Sequence, residues 1–299
     1  MRGGLAVTAV LLTMGCVGET AAPASLLRQA IVGGSLDTTS TNVFIIDMRF
    51  DNGETGLCTA TLISARSLLT AAHCVDPARA GATSVTIRAS NKADANVLNA
   101  GEFTEVISWR LHPQWAWTGH DMPRPTDVAM LLLESAPLGI TPAAVNRAAL
   151  SNFEGQSVRL VGYGRTSASD AQSSAVRRQI TLNVTAQNDS YIDFGVAGSQ
   201  GTCVGDSGGP AFHTFSDKVT RQVGLLTGGS SQCGQASDVR VDLHAAFIDE
   251  WLRDKEPVST PDAGQAEGVT GGCAQAGVSI GWFTLLGWLS LAKSRRRLC

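Results

Sequence analysis

The chain has 299 residues, enough for one large domain or two small ones. Hydrophobic residues make up 43% and charged residues only 16%, which fits a core-forming chain and excludes a disordered one. The formal net charge is −3, so there is no electrostatic case for nucleic acid, and no basic run occurs before the extreme C-terminus.

Residues 1–20 read as an export signal. Arg2 gives a positive start, and the apolar run Leu5–Met14 is too short to cross a bilayer. Gly15-Cys16 at its end resembles a bacterial lipoprotein cleavage site, with Cys16 then lipidated. Ordinary cleavage near Ala21–Ala24 is the alternative, and both stand open. Residues 21–30 form a short pro-segment. From Val43 onward, short β-rich runs alternate with turn residues: Val43–Arg49, Asp51-Asn52-Gly53, Thr59–Ile63, Ser67–Thr70 and Ser84–Ala89. Many short strands broken by Gly, Asn and Asp predict an all-β sandwich or barrel. The first sustained helical period comes at Leu243–Arg253, where Leu243, Phe247, Ile248, Trp251 and Leu252 share one face. Residues 255–272 are rich in Pro, Gly, Ser, Thr and acidic residues and read as a flexible linker. The tail, 273–299, holds Cys273, an apolar stretch Ala276–Ala292 and the basic run Lys293–Arg297. The stretch would reach about 25 Å as a helix, slightly short of a bilayer core of about 30 Å. Its layout resembles the C-terminal sorting tails of myxobacterial surface proteins, with a plain membrane anchor as the alternative. Seven cysteines divide into an internal four (Cys58, Cys74, Cys203, Cys233) and an outer three (Cys16, Cys273, Cys299). Four paired cysteines in the body would suit an oxidising compartment. The odd total leaves at least one outer cysteine without an intramolecular partner. Zinc is the other use of four cysteines, but no C-x-x-C spacing occurs, so no metal is expected.

The chain is organised around Gly205-Asp206-Ser207-Gly208-Gly209-Pro210. A serine among glycines can sit on a tight turn with converging backbone N–H groups, which supplies a nucleophile and an oxyanion site together. Upstream lie Thr70-Ala71-Ala72-His73-Cys74 and Thr126-Asp127-Val128-Ala129-Met130-Leu131. His, Asp and Ser in that order and those settings resemble the chymotrypsin/trypsin-like serine proteases. The resemblance implies two six-stranded Greek-key barrels with a C-terminal helix, in a peptidase domain over 31–254. The barrels are expected at about 31–145 and 155–243. It makes Ser207 the nucleophile, His73 the general base and acid, Asp127 the group orienting the imidazole, and the N–H groups of Gly205 and Ser207 the oxyanion hole. Asp121 is a rival carboxylate without an apolar strand after it. His112, His120, His213 and His244 have no partner pattern and read as structural, as does Gly162-Tyr163-Gly164. The family also implies disulfides Cys58–Cys74 and Cys203–Cys233.

Further implications follow from the same resemblance. Ile31-Val32-Gly33-Gly34 is similar to a mature protease N-terminus. Cleavage before Ile31 would free an ammonium that pairs with buried Asp206, a switch built on an ion pair. Ala30 stands where trypsinogen-like zymogens carry Lys or Arg, so an activating protease of a different kind is implied. The specificity pocket would be formed by Gly201, Thr227, Gly229 and Asp238. Gly201 removes the trypsin-like charge, while Asp238, placed on the pocket floor, tips the expected preference toward Lys or Arg over small apolar residues. The expected protein is a secreted or cell-surface serine endopeptidase made as a zymogen. It acts on protein or peptide substrates without a cofactor, and meets the membrane through its tail or a lipidated Cys16. The alternative is a catalytically silent homologue that serves as a binding protein. Silent members normally lose a triad residue, and this chain keeps all three.

Overall fold

The computed structural model of the chain describes residues 31–118 and 123–256. The signal, the pro-segment, Cys16, His120, Asp121 and the 273–299 tail lie outside these residues. In chain order the strands are β1 (Ser35–Leu36), β2 (Val43–Phe50), β3 (Thr55–Leu62), β4 (Ser67–Thr70), β5 (Val85–Ser90), β6 (Thr104–Leu111) and β7 (Ala129–Leu133). They continue as β8 (Ala144–Val145), β9 (Ser157–Gly162), β10 (Arg178–Gln187), β11 (Tyr191–Phe194), β12 (Pro210–Thr214), β13 (Thr220–Gly229) and β14 (Ala236–Arg240). A single helical turn, α1 (Ala72–Val75), follows β4, and the helix α2 (Ala245–Lys255) closes the body.

Strands β2-β3-β4-β7-β6-β5 form a closed antiparallel barrel. Strands β9-β10-β11-β14-β13-β12 form a second, with β12 returning to β9. The fold is therefore the trypsin-like pair of six-stranded barrels with a C-terminal helix. Continuous apolar runs arise because several strands are buried on both faces. In β2, Phe44, Ile46 and Met48 point into the first barrel. Val43 and Ile45 face Val161, Tyr163 and Phe212 of the second. In β7, Ala129, Leu131 and Leu133 likewise fill the barrel, while Met130 and Leu132 pack toward α2. Alternation with period two makes both assignments compatible in one strand.

Three features depart from the sequence-based expectation. The first barrel does not begin at 31: β1 pairs with β10 and β8 with β13, so both belong to the second barrel's sheet. Two-residue strands carry no pattern that could name a distant partner. β3 starts at Thr55, not Thr59, because the hairpin from β2 extends pairing through polar, partly exposed Thr55 and Gly56. Leu243 is 49% exposed. It sits in a 3₁₀ turn, Val241–His244, whose tighter period rotates it off the buried face of α2.

Polar groups clamp the two barrels. The Arg177 guanidinium is buried and donates to the carbonyls of Asp37, Val43 and Asn91 and to the Tyr163 hydroxyl. Tyr163 in turn donates to the Lys92 carbonyl at 2.8 Å. Helix α2 is the second clamp. Phe247, Ile248 and Trp251 cover Leu69, Val128 and Met130 of the first barrel and Leu225 and Val239 of the second. Trp251 donates from Nε1 to Ser67 Oγ at 2.9 Å. Past the helix, Glu256 Oε1 accepts from Ser64 Oγ, Ser67 Oγ and the Arg66 N–H. The body thus includes Glu256, two residues beyond the boundary expected from composition. Trp251→Ala should destabilise the protein by about 3–5 kcal/mol, because it empties a fully buried site between the barrels. Urea unfolding of the wild type and the variant measures this.

Candidate active site

His73 stands on α1, between buried Ala72 and Cys74. The small residues Ala71 and Ala72 let this turn pack into the core of the first barrel. Cys74 is bridged to Cys58 on β3, which fixes the turn's other side. Closing a loop of this size constrains the unfolded chain by about 3 kcal/mol. Asp127 sits in the turn before β7, where its N–H donates to the Arg124 carbonyl. The Asp127 carboxylate takes two bonds from one residue: His73 Nδ1 at 2.6 Å and the His73 backbone N–H at 2.8 Å. Thr227 Oγ1 on β13 also donates to Asp127 Oδ2. Burial alone would push this carboxyl up, but the His73 ring and the hydrogen bonds from His73 and Thr227 outweigh it and hold the carboxyl below its ordinary value.

Ser207 crowns a turn whose backbone bonds run from Asp206 N–H to the Cys203 carbonyl and from Gly209 N–H to the Asp206 carbonyl. The Cys74 sulfur lies 3.7 Å from His73 Nε2 and 3.8 Å from the Ser207 carbonyl oxygen, so both residues sit against the same disulfide. Thr59 ties that turn to the first barrel. Its N–H donates to the Ser207 carbonyl at 2.8 Å, and its hydroxyl to the Gly205 carbonyl at 3.0 Å. In the sequence Thr59 is marked only by its place beside Cys58. Among the described residues, no acceptor takes the N–H of Gly205 or of Ser207.

Behind Ser207, the Asp206 carboxylate is buried and accepts from the Gly164 and Cys203 N–H groups at 2.7 and 2.8 Å. The seat is shaped by two glycines: a Cβ on Gly162 or Gly164 would lie 2.2 or 2.5 Å from the carboxylate oxygens. Burial pushes the Asp206 carboxyl up to about 7, and the two N–H bonds offset only part of this.

His73, Asp127, Ser207, Thr227 and Gly229 line one cleft of about 340 Å³. Trp115, Trp117 and Arg79 form its wall beyond His73, with Arg79 5.7 Å over the Trp117 ring. Gly201 and Asp238 do not line it. Gly201 packs against the Gly234 backbone, and Asp238 is 0% exposed on β14, opposite Leu226, with its carboxyl against Gly224. Both Asp238 oxygens lack a partner among the described residues. Burial, and then the Asp193 carboxylate, push this carboxyl well above the ordinary range. Cys203 and Cys233 are bridged as the resemblance implied. The sulfurs of Cys58 and Cys74, which cluster with His73, are held in their bridge and offer no thiolate to a metal. His112 and His244 stack edge to face at 5.0 Å, and burial pushes His244 down to about 4. His213 packs between Phe153 and Phe215.

Two closed six-stranded barrels with a C-terminal helix define the trypsin-like fold, and His73, Asp127 and Ser207 line one cleft in it. Residues 31–251 match the family described as Trypsin, and the chain belongs to that family. The chain is 27% identical to venom serine protease 34 of Apis mellifera over 224 residues, 69% of this chain and 53% of that protein. It is 29% identical to trypsin, alkaline C of Manduca sexta over 263 residues, covering 81% and 96%. It is also 26% identical to glucanase inhibitor protein 2 of Phytophthora sojae over 238 residues, covering 75% and 78%.

The Asp206 seat has a measurable consequence. Burial lifts its carboxyl to about 7, above the ordinary 3.8. The folded state therefore holds the extra proton between those values, and stability should fall as pH rises from about 4 to about 7. A tenfold difference in proton affinity between the folded and unfolded chain is worth about 1.4 kcal/mol. Urea midpoints at pH 4.5 and 7 should show this slope, and Asp206→Asn should reduce it, leaving the part that buried Asp238 contributes with the same sign.

Proposed function

We propose that the protein is a serine endopeptidase working through an acyl-enzyme. The observation that carries this is the double contact of Asp127 with the His73 ring and backbone, in a cleft shared with Ser207. A carboxylate on Nδ1 fixes the tautomer that leaves Nε2 free to accept a proton. Ser207 Oγ attacks the peptide carbonyl as His73 takes its proton. The developing oxyanion is met by the N–H groups of Gly205 and Ser207. His73 then protonates the leaving amine, and water hydrolyses the ester by the same route. Thr227 steadies Asp127 from the opposite barrel.

On this reading the chain is exported by residues 1–20 and made as a zymogen. Freeing Ile31 supplies the cation that a buried Asp206 lacks, and this orders the oxyanion turn. The 273–299 tail holds the enzyme at the cell surface. Among the described residues no helix is long and apolar enough to cross a membrane, so any anchoring rests on the tail or on Cys16. A second reading, a binding protein on a silent protease body, is favoured by the likeness to glucanase inhibitor protein 2. Retention of His73, Asp127 and Ser207 weighs against it.

The two readings separate under a serine-directed covalent probe. The processed protein should be labelled at Ser207, and Ser207→Ala should lose both label and peptidase activity without unfolding. Asp127→Asn should lower kcat by about 10⁴-fold, and Asp121→Asn should leave it unchanged. The reverse ranking would move the carboxylate role to Asp121. Thr227→Val should slow kcat by about tenfold with KM little changed, the size expected from losing about 1.4 kcal/mol of support to a buried carboxylate.

A further inference from the structure

We propose that Cys58, Cys74 and His73 form a zinc site in the chain whose cysteines are still thiols, and that zinc held there blocks catalysis until the Cys58–Cys74 bridge closes. The site itself rests on geometry, and its effect on catalysis rests on the peptidase reading above.

One ligand atom from each of the three residues lies within 4.8 Å of the other two. A tetrahedral zinc holds sulfur at about 2.3 Å and nitrogen at about 2.0–2.1 Å, so a sulfur and a nitrogen of one shell stand about 3.6 Å apart. Cys74 Sγ stands 3.7 Å from His73 Nε2. Bridged sulfurs are bonded to each other and cannot serve as ligands. As thiolates around one ion they would part to about 3.8 Å. Two thiolates and an imidazole suit zinc with an open fourth position, and they disfavour magnesium and calcium.

The surroundings suit a ligand histidine as well as a base. His73 Nδ1 lies 2.6 Å from Asp127 Oδ2. A carboxylate there fixes the ring, leaves the Nε2 lone pair free and raises its basicity, as behind a zinc-bound histidine. That lone pair is the one that takes the Ser207 proton, so metal and proton compete for it. Cys58 and Cys74 are buried while His73 lines the cleft, which leaves the fourth position to a cleft water. Cys58 lies on β3 and His73 and Cys74 on α1, so the first barrel supplies every protein ligand.

Cysteines are made as thiols. Zinc displaces one proton from each of Cys58 and Cys74, and His73 adds its neutral Nε2. Closure of the bridge needs an oxidant, and a small disulfide supplies it. One cysteine thiolate attacks that disulfide and releases its first half. The other then attacks the mixed disulfide and releases the second half. Two electrons pass from the cysteines to the small disulfide, whose halves leave as thiols after taking two protons from water. Zinc departs, because neither sulfur is any longer a thiolate.

The test uses the processed, oxidised enzyme. It is unfolded in urea with a phosphine reductant and returned to buffer, still reduced, with or without zinc. Oxidised enzyme taken through the same urea step sets the reference for labelling by the serine-directed probe. Bound zinc, and the thiolate absorption of a cobalt-loaded sample, are read against a chain carrying Cys58→Ala and Cys74→Ala. The reduced chain should hold one metal ion more than that variant, with a thiolate-to-cobalt band that the variant lacks. His73→Ala, which removes a ligand, and Asp127→Asn, which loosens the ring, should each weaken the extra ion by about tenfold or more. Cys203→Ala with Cys233→Ala should keep it. The zinc-loaded chain should not take the probe, whereas zinc should not slow labelling of the Cys58→Ala, Cys74→Ala chain. Oxidised glutathione with a chelator should release the ion, close the bridge and restore labelling. Absence of the extra ion, or an ion bound equally well without His73, overturns the site. A zinc-loaded chain that takes the probe as fast as the reference overturns the block on catalysis. Oxidised enzyme that neither takes the probe nor cleaves any peptide overturns the peptidase reading, while the metal count still decides the site.

Discussion

Everything at this site depends on where one carboxylate is kept. Asp206 is buried directly behind Ser207, and the turn that presents the serine is folded around it. Water cannot reach the group, so the protein must answer its charge with oriented N–H groups or leave it protonated. Two N–H donors are enough to seat it and not enough to keep it an ordinary carboxylate. The close approach of Gly162 and Gly164 is the geometric side of the same requirement, since any side chain on either would expel the carboxylate. An acid held in this condition is poised to respond to a cation.

The second organising constraint is that neither barrel owns the site. The first barrel carries His73 and Asp127, and the second carries Ser207. Each also reaches across: Thr227 holds Asp127, while Thr59 holds the Ser207 turn. Such cross-bonds are useful only if the barrels keep a fixed relation. The buried Arg177–Tyr163 network and the apolar cap of α2 supply that rigidity from two sides. The polar clamp is acceptable in the interior because four acceptors surround the guanidinium.

What could be read from the sequence was local. His73, Asp127 and Ser207 each lie in a short stretch that means little alone, and the resemblance rests on the three together in their order. The strand runs β2 and β4 show in β-branched and apolar residues, and the four internal cysteines sit at telling positions. What could not be read depends on contacts distant in the chain. Thr59 looks like any strand threonine until β3 is laid beside the serine turn. Arg177 looks like a surface cation until two barrels close around it. Asp238 fell near the expected pocket in the chain, but strand register turned its carboxyl toward Gly224 and away from the cleft. Leu243 fits the helical period in the sequence but lies in a 3₁₀ turn, whose tighter winding turns it to solvent.

The exchange of threonines between barrels has a consequence for how the protein is made. Asp127 is not fully seated until Thr227 has been synthesised and folded against it, and the Ser207 turn hangs on a strand finished long before. A chain broken off between the barrels, or one still emerging from the ribosome, holds histidine and aspartate with nothing to act through. The cleft that His73, Asp127 and Ser207 share is thus completed by chain connectivity, only once both barrels have folded.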